Sequence, residues 1–348
     1  MEPLPAWAVP LCGGAIGGAI GYAARRGRLC TFGAIEDAFM GGEFRRLKVL
    51  ALALAIALIM TQTAIVSGAL APDTIRYLPL TLPWLAIAAG GLAFGFGMAL
   101  VGTCAFGSLI RFGSGDLRSF VTILVYALTA LAVLRGGLAS FRIAYIESHS
   151  IAMPGAIQAD FAALMSWFAG FDLRPMVLAV IAAALLIWAV KSGEVLRMPR
   201  LLLSGAVLGI GAGAAWLVTG VLIDRMTLVV EPEGLTFVAP VADTLQAIAF
   251  PSVALLNFGV ASVAGVIAGA FLASVRHDEF RWEAFDDQRE MKRHIAGSVM
   301  MGVGGVLAGG CTIGQGITAG SVLALSWPLA VGAMMLGARA GLYYLLKD

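Results

Sequence analysis

Three cysteines lie in short, glycine-containing stretches that resemble one another. In each stretch a glycine follows the cysteine by three residues, and the pairs are Cys30 with Gly33, Cys104 with Gly107, and Cys311 with Gly314. A thiol is small, polarisable and only a weak hydrogen-bond donor, so an apolar wall tolerates it. A neighbouring glycine lets a ligand come close to the backbone. These six residues are therefore the candidate ligand-binding residues.

The chemistry of the three thiols favours a ligand that carries sulfur. A soft sulfur atom complements another sulfur atom, whereas hydroxyls and arginines would serve phosphate or sulfate better. A thiolate would repel an anion, so a transported anion requires the neutral S–H form, which apolar burial favours. The remaining cysteine, Cys12, belongs to no such stretch and is interpreted as an ordinary helix residue. The predicted ligand is a sulfur oxyanion.

Short apolar runs follow the three cysteines and predict half-helices. The runs cover residues 31–39, 105–113 and 312–320, and each is too short to cross a bilayer. A half-helix presents free backbone N–H groups and a partial positive charge at its N-terminus, which suit an anion. Non-helical backbone inside a membrane is tolerated only where protein or water surrounds it. We therefore expect the half-helices to face a central passage.

The composition is that of a polytopic membrane protein, with 60% hydrophobic and 13% charged residues. Nine apolar runs approach the length of a bilayer span, at residues 8–24, 47–70, 83–101, 117–135, 175–191, 201–217, 252–274, 294–310 and 322–346. The predicted fold class is all-α, with about nine transmembrane helices plus re-entrant half-helices. A net charge of +2 without basic aromatic stretches argues against a nucleic-acid partner, and no metal or cofactor is expected.

The distribution of Lys and Arg predicts the orientation in the membrane. If the N-terminus is outside, the inner side receives eighteen of the 23 basic residues. We expect a bacterial inner-membrane protein with its C-terminus in the cytoplasm. Residues 144–173 are predicted to form interfacial helices on the outer face, with Trp167 and Phe168 at the headgroups. Residues 276–293 are predicted to be a solvated inner loop, with a docking surface as the alternative.

Two cysteine stretches belong to a longer internal repeat. Residues 95–107 and 302–314 coincide at five of thirteen positions, including the cysteine, and residues 21–33 keep a looser version. Residues 209–222 predict a fourth element, in which Gly220 stands where a cysteine would fall. With the topology above, two elements in each half predict inverted repeats. The predicted segments are a first membrane half, an outer interfacial linker and a second membrane half, at residues 1–150, 151–174 and 175–348.

The sequences RGRLCTFG, GTCAFGSLIRFGSGDLRS and GGCTIGQG resemble the YeeE/YedE family of thiosulfate transporters over nearly the whole chain. The resemblance implies an hourglass shape with four buried loops, three of which carry an essential cysteine, here Cys30, Cys104 and Cys311. It further implies thiosulfate uptake, in which thiols hand the ion along by S–H···S hydrogen bonds without covalent chemistry. It implies as partner a small cytosolic sulfur carrier of the TusA type.

Alternatives to thiosulfate transport stay open at this point. Some relatives in the family are linked to persulfide or selenium metabolism, so another sulfur or selenium species is one alternative ligand. A membrane thiol oxidoreductase or sulfurtransferase is less favoured, because no base adjoins the cysteines, and we predict no enzyme activity. A passive, aquaporin-like channel for small solutes is also less favoured, because the sequence has no Asn-Pro-Ala signature. Glu36 and Asp37 could assist a proton, but the end of a half-helix near the inner interface explains them as well.

Overall fold

The computed structural model describes residue 5 and residues 7–191, 193–222, 231–250 and 257–347, and it is almost entirely helical. Its α-helices within these ranges are α1 (Ala8–Gly27), α2 (Thr31–Glu36), α3 (Arg45–Val66), α4 (Trp84–Val101), α5 (Ala105–Gly113), α6 (Leu117–Leu134), α7 (Leu138–Phe141), α8 (Phe161–Ala169), α9 (Arg174–Val190), α10 (Pro199–Gly220), α11 (Ala239–Ala249), α12 (Phe258–Arg276), α13 (Gln288–Leu307) and α14 (Ser326–Lys347). Each predicted span overlaps one long helix. The start of the span predicted at 252–274 lies outside the described residues. So does Arg225, one of the five basic residues that the predicted topology places on the outer side.

Shorter elements connect these helices. The two strands β1 (Thr81–Leu82) and β2 (Ile151–Ala152) pair antiparallel. The π-helical turns are Asp37–Gly41, Arg142–Ile146 and Gly314–Ala319, and the 3₁₀ turns are Pro72–Thr74, Pro154–Ala156 and Val195–Arg197. The half-helices predicted after the three cysteines are present as α2 with its π-helical turn, as α5, and as a helix over residues 312–321.

Six segments of the described residues are long and apolar enough to cross a membrane. They are Arg45–Val66, Trp84–Gly113, Leu117–Leu134, Pro199–Gly220, Phe258–Arg276 and Ser326–Lys347. The chain is therefore an all-α polytopic membrane protein, as predicted. The count of nine spans stays a prediction, because the other long helices fall short in length or in apolar character.

Asx side chains fix the start of several helices at the positions where the sequence permits. Asn257 accepts the N–H of Val260 at 2.8 Å and begins α12. Asp287 accepts the N–H of Glu290 at 2.6 Å and begins α13. Such caps satisfy N–H groups that the first turn of a helix leaves without a partner. The local sequence thus sets where these two long helices begin.

The long helices pack in pairs that follow one correspondence. α1 packs against α12 and α3 against α10, while α4 packs against α14 and α6 against α13; α1 also contacts α10, and α4 contacts α13. Exchanging α1 with α10, α3 with α12, α4 with α13 and α6 with α14 maps this set onto itself. The same exchange relates the contact of α5 with α12 to that of the 312–321 helix with α3. α9, which packs against α3, stands outside this correspondence.

Glycines let the paired helices approach until their backbones touch. A Cβ atom on Gly95 of α4 would lie 2.0 Å from the carbonyl oxygen of Met334 on α14. A Cβ atom on Gly21 of α1 would lie 2.2 Å from the carbonyl oxygen of Val266 on α12. Membrane helices lack a hydrophobic force between them and depend on such close contacts. Many of the 44 glycines therefore serve packing and not ligand binding.

The segment between α6 and α9 forms a layer over the end of the helical body. Of the helices predicted in 144–173, α8 is formed, and β2 lies in the same segment. The N–H of Phe161 donates to the carbonyl of Leu323, and the N–H of Leu325 donates to the carbonyl of Ala159, both at 2.9 Å. Trp167 is 48% and Phe168 is 69% exposed. Their place at the lipid headgroups stays a prediction.

The charged stretch 276–293 is fastened to the start of α6. Arg118 forms ion pairs with Asp116 at 3.1 Å, with Glu290 at 3.3 Å and with Glu283. The backbone N–H of Leu117 donates to the carbonyl of Glu283 at 2.8 Å. The stretch is therefore held against the helical body at its middle, while most of its residues from 281 to 290 are exposed.

The fourth short helix is not where the glycine pattern predicts it. Residues 209–220 are the second half of the continuous helix α10, and Gly220 is its last residue. Gly211 faces Ile20 of α1, where a Cβ atom would come within 2.5 Å of the Ile20 Cδ1 atom. These glycines serve helix packing, which explains why their pattern misled the prediction. The short helix that corresponds to α2 in the packing scheme is α11, with Val238 at its N-cap: α2 contacts α3 and α14, and α11 contacts their counterparts α12 and α6.

Candidate functional site

Each of the three cysteines directly precedes a short helix and interacts with its first turn. The sulfur accepts the backbone N–H of the third following residue, at 3.4 Å for Cys30 and Gly33, 3.3 Å for Cys104 and Gly107, and 3.4 Å for Cys311 and Gly314. This is the arrangement of an N-cap, with sulfur in place of the usual oxygen. The glycine spacing found in the sequence is therefore the spacing of a thiol cap.

The thiols differ in their exposure. Cys104 and Cys311 are completely buried, whereas Cys30 is partly exposed. All three are free thiols, as is Cys12, which lies partly buried on α1. The structure thus leaves one of the three predicted thiols accessible and encloses the other two.

The loops that carry Cys30 and Cys311 touch each other. The hydroxyl of Thr31 lies 2.8 Å from the hydroxyl of Thr312, so the residues that follow the two cysteines are hydrogen-bonded. These residues are 281 positions apart in the chain. The first turns of two short helices from the two halves of the sequence therefore meet in the interior of the protein.

Aromatic residues join the surroundings of Cys104 to those of Cys311. Tyr126 of α6 lies within electrostatic range of both thiols, and its hydroxyl donates to the carbonyl of Phe237 at 2.7 Å. The rings of Phe106 and Phe237 are stacked, with centroids 5.2 Å apart. Cys104 and Cys311 belong to one cluster of buried side chains, and Cys30 packs against it. The structure thus gathers the three predicted thiols into one region.

A fourth buried loop, over residues 231–238, completes this region without a cysteine. Its Leu235 carbonyl accepts a hydrogen bond from the hydroxyl of Thr318 at 2.5 Å, in the helix that follows Cys311. Leu235 and Phe237 are completely buried. This loop therefore lines the Cys311 region with backbone, with Phe237 and with Thr236.

Each glycine of the three thiol caps faces a hydrogen-bond donor. A Cβ atom on Gly107 would lie 2.2 Å from the hydroxyl oxygen of Thr103. On Gly314 it would lie 2.5 Å from the hydroxyl oxygen of Thr236 and 3.0 Å from that of Tyr77. On Gly33 it would lie 2.7 Å from the guanidinium of Arg46. The absence of a side chain at the three glycines is thus needed for polar groups to reach the caps.

Basic side chains surround the more exposed thiol. Arg46 forms an ion pair with Asp37 at 3.2 Å, and its side chain is 33% exposed. Arg111 donates to the carbonyl of Gly102 at 3.0 Å and lies within electrostatic range of Cys30. This end of the region therefore offers positive charge to an anion.

Comparison with known proteins identifies the family. The model of the family described as Sulphur transport matches residues 26–340. The chain belongs to the Sulphur transport family.

Two similar proteins are both named thiosulfate transporter TsuA. The one from Escherichia coli strain K12 is 27% identical over 337 residues, which cover 92% of this chain and 90% of the relative. The one from Spirochaeta thermophila is 28% identical over 333 residues, which cover 92% of this chain and 94% of the relative. The resemblance inferred from the cysteine stretches is confirmed.

Sequence reasoning missed four polar residues of this Sulphur transport family member. Thr103 directly precedes Cys104, so its position was a usable signal that the sequence analysis did not weigh. Arg46, Thr236 and Tyr77 are far from the cysteines they approach, and only the fold brings them there. Their contribution could not be predicted from local spacing.

A largely apolar cavity of 210 Å³ adjoins the Thr31–Thr312 contact. Its wall is formed by α3, α9, α14 and the helix after Cys311, with lining residues that include Leu50, Leu54 and Val331. Thr31 and Thr312 are the polar residues of its wall. The two loops of this family member thus meet beside open apolar space.

Proposed function

We propose that the protein transports thiosulfate across the membrane. Membership of the Sulphur transport family and the names of the two relatives support this function. The observation that carries the proposal is the meeting of the Cys30 and Cys311 loops at Thr31 and Thr312. The contact joins the first turns of two cysteine-capped helices that lie far apart in the chain, which supports a shared path past their thiols.

In the proposed mechanism thiosulfate passes from one thiol to the next. Its terminal sulfur accepts S–H···S hydrogen bonds from Cys30, Cys104 and Cys311 in turn, while Gly33, Gly107 and Gly314 leave room for polar side chains beside each thiol cap. Neutral thiols suit this role, because a thiolate would repel the ion. No covalent bond forms, and we propose that the chain is not an enzyme.

The proposed architecture is an hourglass of inverted repeats in a bacterial inner membrane. The exchange symmetry of the helix pairs supports two related halves, within residues 1–150 and 175–348, joined by 151–174. The excess of basic residues supports an outer N-terminus and a cytoplasmic C-terminus. α9 falls within the second half in this division, although it packs on α3 of the first.

Uptake of labelled thiosulfate by sulfur-starved cells that express single variants tests the proposed function. We expect Cys104→Ala and Cys311→Ala to abolish uptake and Cys12→Ala to retain it, because Cys12 lies on α1 outside the caps. Uptake at the wild-type rate in both of the first two variants, with equal protein in the membrane, would reject the relay. Persulfide detected on Cys104 or Cys311 during turnover would favour a sulfurtransferase instead.

The inner-face partner is also a proposal. The family resemblance supports a TusA-type sulfur carrier that receives sulfur on the cytoplasmic side. Co-purification of such a carrier with the detergent-solubilised protein would support the partnership, and thiosulfate uptake at an undiminished rate in cells without the carrier would show that transport does not need it.

A further inference from the structure

Three threonine hydroxyls of the described residues are buried without a hydrogen-bond partner. They belong to Thr103, Thr122 and Thr236. A buried hydroxyl without a partner is unfavourable, and such groups in native proteins usually await water, an ion or a ligand. Thr122 lies on α6, whereas Thr103 and Thr236 lie in the loops that build the thiol caps. The last two therefore call for an explanation in terms of the passage.

Thr103 lies close to two of the three thiols, those of Cys30 and Cys104. It directly precedes Cys104, is completely buried, and its hydroxyl fills the space over Gly107 in the first turn of α5. The Cys30 thiol is a close neighbour, but the pair lacks the geometry of a hydrogen bond. The hydroxyl is thus held by packing, with its hydrogen-bonding capacity free, beside Cys104 and close to Cys30.

Thr236 lies beside the third thiol, that of Cys311, as Thr103 lies beside Cys104. Its hydroxyl oxygen is enclosed and lies over Gly314, the glycine that donates to the Cys311 sulfur. The Tyr77 hydroxyl lies over the same glycine, and both it and the Cys311 thiol are close to the Thr236 hydroxyl without forming a hydrogen bond of normal geometry. The loop that lacks a cysteine thus contributes a hydroxyl to the cap of another loop.

We propose that the hydroxyls of Thr103 and Thr236 bind the oxygen atoms of the transported ion. This inference rests on the proposed function and adds the contacts to the oxygen atoms of the ion. The thiol binds the sulfur end of a sulfur oxyanion, and the hydroxyl donates to one of its oxygens. A site that offers both donors at the Cys104 and Cys311 caps selects an ion that carries both atom types. It discriminates against sulfide, which has no oxygen, and against sulfate, which has no terminal sulfur.

Valine and serine substitutions separate this role from a structural one. Valine keeps the shape of threonine without the hydroxyl, and serine keeps the hydroxyl. We expect Thr103→Val and Thr236→Val in proteoliposomes to raise the thiosulfate concentration for half-maximal uptake about 10- to 100-fold, the factor for one lost hydrogen bond to a charged group. Thr103→Ser and Thr236→Ser should stay close to wild type. Thr129→Val is the matched control, because the Thr129 hydroxyl already donates to the Val125 carbonyl of its own helix.

Thermal unfolding with and without thiosulfate provides the second readout. Removal of an unpartnered buried hydroxyl should leave the Tm of the ligand-free protein unchanged or raise it, because no hydrogen bond is lost. The rise in Tm that thiosulfate produces should shrink in both valine variants. A lower ligand-free Tm with an undiminished thiosulfate effect would show a structural role and overturn the inference.

The failure of this inference and the failure of the proposed function have different signatures. If Cys104→Ala and Cys311→Ala abolish uptake while both valine variants transport like wild type, the hydroxyl assignment is wrong and the thiol relay stands. If neither the cysteine variants nor the valine variants change uptake, the proposed function itself fails. Loss of uptake in the valine variants with recovery in the serine variants supports both.

Discussion

The hydroxyls of Thr31 and Thr312 are 2.8 Å apart, although 281 positions separate the two residues in the chain. Each residue directly follows a cysteine and begins a short helix. The contact therefore fixes the position of two thiol loops relative to each other. The two threonines occupy the same position after their cysteines in the sequence, and the fold makes them hydrogen-bond partners.

The loop contact should be visible as an energetic coupling. We expect Thr31→Val and Thr312→Val each to lower the free energy of unfolding by about 1 kcal/mol, the net value of one hydrogen bond. The double variant should lose little more than either single variant, because both remove the same interaction. Denaturant unfolding in detergent measures the four proteins. Additive losses would show that the hydroxyls do not depend on each other.

The cap glycines should tolerate alanine unequally. In Gly107→Ala and Gly314→Ala the new methyl group would lie 2.2 Å and 2.5 Å from the hydroxyl oxygens of Thr103 and Thr236. Overpacking of this kind costs about 1–3 kcal/mol, and we expect both variants to lose thiosulfate uptake. Gly33→Ala should be milder, because the neighbouring atom is the end of the flexible Arg46 side chain.

Gly332→Ala is the matched control for this series, because nothing lies within 4 Å of the added Cβ atom. Thiosulfate uptake and membrane protein level should both stay at the wild-type value. Full uptake by Gly107→Ala and Gly314→Ala as well would show that the space over the cap glycines has no part in transport.

Thiol labelling should report the different exposure of the three cysteines that cap short helices. Cys30 is partly exposed, whereas Cys104 and Cys311 are completely buried. In a Cys12→Ala background, a membrane-impermeant maleimide should label Cys30 first, and only from the cytoplasmic face. Inside-out and right-side-out vesicles, followed by mass spectrometry, provide the measurement. Labelling of Cys30 from the periplasmic face would contradict the proposed orientation.

The segment between α6 and α9 should carry a pH-dependent element at Asp160, the N-cap residue of α8. Burial raises the pKa of this carboxyl above its ordinary value, against the opposing effect of Arg174 at 2.5 Å. The folded state thus holds the proton more tightly than the unfolded state. The stability from Asp160 is complete below the unfolded pKa and falls as pH rises through the folded pKa.

The Tm of the wild-type protein should therefore decline more steeply over this acidic range than the Tm of Asp160→Asn. The asparagine can still accept the N–H of Ala162 at the start of α8, which Asp160 accepts at 2.9 Å. Thermal scans of both proteins from below pH 4 upward measure the difference in slope. Identical slopes would show that Asp160 does not titrate differently in the folded state.

Much of the fold follows from hydropathy, because a bilayer demands long apolar helices and the chain has little other means to satisfy its backbone. The short helices after Cys30, Cys104 and Cys311 were predictable because the thiol and the glycine three residues later form a local cap. Residues 209–222 were misjudged, because glycines that pack helices and glycines that open a loop look alike in sequence.

The polar part of the candidate site was beyond local reasoning. Thr236 and Tyr77 reach Gly314 only through contacts between segments far apart in the chain. Arg46 lies in the first turn of α3, whereas Gly33 lies in α2. The Arg46 side chain reaches Gly33 only because of the turn between these two helices. The few cysteines of the chain stand out in the sequence, whereas threonine is too common for its position alone to indicate a site.

The most direct test of the thiol passage is calorimetric titration of thiosulfate into the purified protein and into its cysteine variants. We predict measurable binding to wild type and to Cys12→Ala. Binding to Cys104→Ala and Cys311→Ala should weaken about 10-fold or more, as expected when a buried hydrogen bond to an anion is lost. Binding of wild-type affinity to a variant that lacks Cys30, Cys104 and Cys311 together would contradict the account.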